Sequence, residues 1–154
     1  MSYDINLKDA TTGMVSKVKN FIMFGGTVPV KEERGMLFQT EQSDARVNIT
    51  YNYAKYFYAV TEGDERFAQT RDCSGDVKYG IRGIYGKTGA ESIPLLNIMI
   101  ERLNTRYKDE NGSWFEGEGM TTDYWEPTAA NAIRSLQQMI MLAKQCPDSI
   151  WEGD

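Results

Sequence analysis

Residues 2–8, SYDINLK, set Tyr3, Ile5 and Leu7 against Ser2, Asp4, Asn6 and Lys8. A period of two predicts a strand with one face buried. Residues 9–13 (DATTG) read as a turn, and the apolar, partly β-branched run at 14–24 predicts the second arm of a hairpin. Gly25, Gly26 and Thr27 break that run, and Pro29 with the charged stretch 31–35 predicts a solvated connection before a short strand at 36–40. Alternation returns at 45–51, with Val47, Ile49 and Tyr51 on one face. From Tyr53 the spacing changes. Tyr53, Tyr56, Phe57 and Val60 fall three and four apart, which predicts a helix of roughly two to three turns that ends at 62–65. Residues 66–79 are polar and aperiodic and read as a surface loop.

Leu96, Met99, Ile100, Leu103 and Tyr107 form one stripe, with Asn97, Glu101 and Asn104 off it, so an amphipathic helix is predicted up to Tyr107. Pro94 belongs in its first turn, which puts the start between Thr88 and Ser92, and Thr88 and Glu91 have the spacing of a capping box. Residues 109–112 close the helix and the glycine-containing run to Met120 reads as a loop. A second helix is predicted at 127–144. Pro127 takes its first position, Ala129, Ala132, Ile133, Leu136, Ile140 and Ala143 face inward, and Asn131, Arg134, Gln138 and Gln145 face outward. Pro147 stops it, and Trp151 anchors the tail that follows. Strands first and helices second predict an α+β fold. The expected form is a mostly antiparallel sheet from the N-terminal half with two main helices packed on one face, in a single domain over residues 1–154.

Composition narrows the chemistry more than it names it. Of the 154 residues, 41% are apolar and 25% charged, the balance of a globular chain. No apolar run nears the roughly 20 residues that span a bilayer, and the first residues lack the basic-then-apolar pattern of a secretory signal, so a cytoplasmic protein is expected. A net charge of −5 argues against direct nucleic-acid binding, which rests on clustered Lys and Arg. The chain has no His, which removes the commonest general base and metal ligand and, with them, any Ser-His or Cys-His nucleophile. Cys73 and Cys146 show no paired spacing and point to neither a disulfide frame nor zinc. No metal site and no cofactor is expected, Glu116 and Glu118 lacking further ligands.

Gly86-Lys87-Thr88 resembles the end of a phosphate-binding loop, but Ile81 stands where that motif requires its first glycine. What remains is a helix N-terminus at which Arg82, Tyr85, Lys87 and Thr88 could hold an anion. The structural alternative makes Thr88 a cap and Gly86 and Gly89 turn residues. Tyr51, Tyr53, Tyr56, Phe57 and Tyr58 offer stacking faces for a base or anchors for a protein, against a core role for Tyr53 and Phe57 with at least one of Tyr56 and Tyr58 exposed. Asp123 and Glu126 flank Tyr124 and Trp125 just before a helix. Such residues serve acid–base work where apolar neighbours raise a carboxylate pKa, and more commonly cap the helix while the Trp covers its start.

The segments SYDINL (2–7), the Gly25-Gly26-Thr27 break, NITYNY (48–53), GIRGIYGKTGAESIP (80–94), DYWEPT (123–128) and PDSIWEGD (147–154) span most of the chain. Together they resemble a family of uncharacterised small proteins from bacteriophages and other mobile elements. The chain departs from that family in a shorter loop before Asp123 and a longer apolar run before Gly25. Small accessory proteins of phages commonly block host defences by binding a nuclease, a sensor or a nucleotide signal, an analogy of setting rather than of fold. The resemblance implies a non-enzymatic binding protein of the host cytoplasm that inhibits a host-defence protein. Its expected surface is Tyr51, Tyr53 and Tyr56 with the 82–88 loop, joined by Asp123 and Trp125. The alternative is a nucleotide-sequestering protein that uses Arg82, Lys87 and the helix N-terminus for phosphate and a Tyr for the base.

Overall fold

The alternation at the start of the chain becomes the middle strand of a sheet. The computed structural model describes residues 1–19, 30–33, 36–39, 43–69 and 78–154, with 30–33 and 36–39 described by their backbone alone. In it β1 (Ser2–Lys8) lies between β6 (Arg46–Thr50) and β7 (Ile150–Gly153), antiparallel to both. Tyr3 stands opposite Ile49, Ile5 opposite Val47, and Leu7 opposite Trp151, so one face of the sheet is continuously apolar and all six are buried. The expected strand at 45–51 is therefore shorter, because Tyr51 opens a 3-10 turn, Tyr51–Tyr53, capped by the Thr50 hydroxyl.

The turn after β1 is closed by Asp9, whose Oδ1 accepts the N–H groups of Thr11 and Thr12, both at 2.8 Å. It returns the chain to a bridge between Lys8 and Val15 and to β2 (Lys17–Val18), which pairs with β5 (Ser43–Asp44). β3 (Val30–Glu33) pairs antiparallel with β4 (Met36–Gln39). Residues 31–33, expected as a solvated connection, are thus a strand, since backbone pairing does not require apolar side chains. The Gly25–Gly26–Thr27 break, Pro29, Gly35 and the segment around Cys73 lie outside the described residues.

α1 (Ala54–Thr61) buries Tyr56, Phe57 and Val60, with Tyr53 buried just before it. The stretch read as a surface loop from 66 contains the 3-10 turn Glu65–Phe67, whose Phe67 is fully buried; a single aromatic in a polar run leaves no period to detect. α2 (Gly89–Tyr107) and α3 (Ala129–Gln145) make the most extensive contact between elements, and with α1 they close one contiguous core over the sheet. The architecture is α+β, with an antiparallel sheet and helices. Its third strand, β7, comes from the C-terminal tail rather than from the N-terminal half. No helix among the described residues is long and apolar enough to cross a membrane.

The start of α2 falls within the expected 88–92 window, whereas the place of Pro94 and the start of α3 differ from expectation. The capping box is formed, Thr88 N–H donating to Glu91 Oε2 at 2.9 Å and Glu91 N–H to Thr88 Oγ1 at 3.1 Å. That cap fixes Gly89 as the first helical residue, which puts Pro94 in the second turn rather than the first. The proline removes one intrahelical donor, to the carbonyl of exposed Ala90, where water can replace it. In α3 the cap is Thr128, one residue after Pro127, because its Oγ1 accepts the Asn131 N–H at 3.1 Å.

The remaining amides at the start of α2 are taken by the tail. Gly89 N–H donates to Ser149 O at 2.8 Å and Ala90 N–H to Pro147 O at 2.9 Å. Gly86 N–H reaches Trp151 O, and Trp151 N–H reaches Lys87 O, both at 2.9 Å. The Trp151 indole is buried and donates to Ser92 Oγ at 2.7 Å. This approach needs a glycine, since a Cβ on Gly89 would lie 2.4 Å from Cys146 O and 2.9 Å from Ala143 O. Gly83 has the same role beside Phe67, whose carbonyl oxygen would be 2.3 Å from an added Cβ.

Helix propensity alone favours alanine over glycine by about 0.5–1 kcal/mol. The contacts predict the opposite for Gly89→Ala, a loss of about 1–3 kcal/mol from overpacking against backbone, read as a lower midpoint in denaturant. An unchanged or raised midpoint would show that the tail does not approach α2 this closely.

Candidate functional site

The residues expected to bind an anion do come together, but on each other. Arg82 sits in the 3-10 turn Ile81–Ile84. Its Nε donates to the main-chain oxygen of Asp154 at 2.8 Å and its Nη2 to the Tyr51 hydroxyl at 3.3 Å. The guanidinium lies 4.9 Å from the Tyr3 ring centre and 5.8 Å from that of Tyr51, and the two rings meet edge to face at 4.4 Å. The Tyr85 hydroxyl points to the same Asp154 oxygen at 3.4 Å, and burial pushes its ionisation well above the ordinary range. Thr88 is used by the capping box, and Lys87 is tied through its main chain to Trp151. With Gly89 and Ala90 bonded to tail carbonyls, a phosphate finds no unengaged amide at this helix start.

Two of the tyrosines are likewise interior. Tyr53 Oη donates to the Tyr124 carbonyl. Tyr124 Oη donates to Asn48 O at 2.6 Å and accepts the Thr50 N–H at 2.7 Å, so one phenol covers two main-chain groups on the outer edge of β6. Tyr56 Oη lies 2.7 Å from Glu118 Oε2 and 2.6 Å from Pro127 O. Tyr56 and Tyr53 are therefore not surface anchors, whereas Tyr58 is exposed and leans on Tyr79.

The loop between α2 and α3 is held from below. Phe115 N–H returns to Tyr107 O at 3.0 Å, and Lys108 pairs with Trp114 and lies over its ring at 4.3 Å. Glu118 caps α3, its Oε2 accepting the Ala129 N–H at 2.9 Å and its carbonyl the Ala130 N–H at 3.0 Å. Asn131, expected to face outward, is fully buried: its Oδ1 accepts from Thr121 N–H, and its Nδ2 reaches Thr121 Oγ1, Asp123 O and Glu126 O at 2.9–3.2 Å. Gln138 is buried as well. A helix position that reads as polar is inward here because a loop backbone, rather than apolar side chains, packs over it. Asp123 closes a turn on the Trp125 N–H at 2.9 Å; it does not cap the helix, and Asp123 and Glu126 are both exposed.

The loop leaves large apolar side chains outside. Phe115, Met120 and Trp125 are 49%, 59% and 55% exposed, so Trp125 does not cover the helix start as expected. Met1, Met14, Tyr58 and Met141 are exposed too, but they lie before β1, between β1 and β2, on α1 and on α3. The same loop is the acidic part of the chain. Residues 109–126 hold six carboxylates and no Lys or Arg, which leaves the other residues with a net charge of +1 against −5 for the whole. This charge count is legible in the sequence and marks the loop as a candidate surface.

One open groove of about 950 Å³ runs between the end of α1 and α2, lined by Arg66, Arg102, Arg106, Asp64 and Glu101 among others. Its guanidinium groups are engaged. Asp64 binds Arg66 at 2.8 Å and Arg102 at 3.0 Å, an arrangement that holds its carboxyl well below the usual range, and Arg102 also donates to Val60 O at 2.8 Å. The groove ties α1 to α2 rather than presenting free cations. Among the described residues, no group of three or more carboxylate or thiol side chains is placed to hold a metal ion.

No protein-family model matches this chain, and neither a curated protein nor a solved structure matches it.

Buried phenols give the molecule a measurable alkaline limit. Burial raises the ionisation of Tyr3, Tyr53, Tyr56 and Tyr85 above its ordinary value near 10, and that of Tyr124 to about 12. Above pH 10 the unfolded chain releases phenol protons that the native state keeps, so the unfolded state binds fewer protons and stability falls as pH rises. The contribution is present in full below about pH 10 and is lost towards pH 12. A tyrosinate absorbance titration should show several tyrosines ionising only as the protein unfolds. Reversible titration of all nine near pH 10 in the folded protein would contradict this burial.

Proposed function

We propose that this chain is a non-enzymatic binding protein that acts by protein–protein contact through the loop at 108–127. The observation that carries this is the exposure of Phe115, Met120 and Trp125 on a loop whose backbone is fixed by Asn131, Glu118 and Tyr107. Aromatic side chains held in place and left in water are the usual centres of a protein interface, because their area is desolvated at little cost in entropy. The setting follows from the resemblance to small phage and mobile-element proteins: the partner is a component of host defence, met in the host cytoplasm and inhibited by being bound. The surface differs from the one expected around Tyr53, Tyr56 and the 82–88 loop, whose groups are engaged within the fold. No comparable observation favours a nucleotide ligand, since the amides and the guanidinium that would hold its phosphates are already bonded.

The immobilised protein, exposed to host lysate, should retain a protein that the double variant Phe115→Ala, Trp125→Ala loses while keeping its melting temperature. Retention of the same protein by wild type and double variant alike would place the interface elsewhere.

A further inference from the structure

The charge on the loop says what kind of partner it fits. This step rests on the binding function proposed above and adds the partner's chemistry. Five of the six carboxylates, Asp109, Glu110, Glu116, Asp123 and Glu126, are exposed, and Glu118 alone turns in to Tyr56 and α3. Exposed acids thus flank Phe115 and Trp125 within one residue on the chain, with no cation in the segment to neutralise them. A segment with six carboxylates and no Lys or Arg of its own offers a net negative charge that a cationic surface complements. A rim of one sign around apolar anchors also raises the encounter rate with an oppositely charged surface and rejects others.

We infer that the loop docks on a protein surface where Lys and Arg side chains surround an apolar pocket that receives Trp125. Nucleic acid and anionic membranes are disfavoured by the same field. A second copy of this chain carries a net charge of −5 itself, and its groove arginines are already engaged by Asp64 and the α1 carbonyls.

Binding is followed by the fluorescence anisotropy of a labelled probe, which reads wild type and Trp125→Ala alike; in the wild type the exposed Trp125 also reports by its emission, over a background from half-buried Trp114 and buried Trp151. The full chain is titrated with three probes: an amphipathic lysine–leucine peptide, the same peptide with glutamate in place of lysine, and oligolysine. The lysine–leucine peptide should shift the emission to the blue and saturate. Its affinity should drop about ten-fold or more for Trp125→Ala, and should fall when salt rises from about 0.05 to 0.5 M. Glu116→Gln with Glu126→Gln should weaken it as well, with melting temperatures unchanged, and Phe115→Ala serves as the second anchor variant should Trp125→Ala fold poorly.

Equal binding of the glutamate peptide would overturn the cationic assignment in favour of plain apolar adhesion. Oligolysine binding as tightly, with no loss in Trp125→Ala, would overturn the apolar pocket. If lysate capture depends on Phe115 and Trp125 but the lysine–leucine peptide does not bind, the partner is a protein without the cationic rim and only this inference fails. If neither depends on those residues, the binding function fails with it.

Discussion

The first amides of α2 are capped by carbonyls from the tail, and the placement of the C-terminal strand depends on that contact. A helix start leaves N–H groups without partners, and burying them unpaired costs on the order of a few kcal/mol. Pro147 and Ser149 supply the acceptors. Their approach sets β7 beside β1 and drives Trp151 into the core against Ser92. It also lines up Asp154 for Arg82 and Tyr85, which closes the sheet end under a cation sandwiched with Tyr3 and Tyr51. The start of α3 is solved in the same way by Glu118, whose side chain and carbonyl take two of its first amides. α2 and α3 are thus each capped in part by a segment remote from their starts in sequence, and these caps carry much of the tertiary order.

The consequences for function run in opposite directions at the two ends of the helix pair. At the α2 start the donors are consumed, and the glycines serve close backbone contact rather than a ligand. At the α3 start the cap holds a loop with Phe115, Trp125 and five of its six carboxylates exposed. A fixed loop loses less entropy on binding than a floppy one, so the same hydrogen bonds that satisfy α3 also pre-order the surface.

Much of the fold could be read from periodicity. β1, α1, the α2 stripe with its capping box and the inward face of α3 follow from spacing alone, because each is decided by which side chains share one buried face. Trp151 was legible as an anchor for its size and its place after Pro147. Asn131, Phe67 and the pairing of β7 were not, for a common reason: each is decided by backbone groups arriving from elsewhere in the chain, and side-chain patterns do not record those. Of the two readings offered for residues 86–89, the structural one fits, since Thr88 is a cap and what meets Gly89, like nearby Gly83, is the chain's own backbone. The candidate surface left a plain trace, six acids in 18 residues without a base, that secondary-structure spacing does not weigh.

The most direct test is amide hydrogen exchange resolved at Gly89 and Ala90. At an ordinary helix start these two N–H groups face water and exchange quickly. Bonded to Ser149 and Pro147, they should be protected to the same degree as amides in the middle of α2. Rapid exchange at both, with the centre of α2 protected, would contradict the closed joint and return the 82–88 region to consideration as a site for an anion.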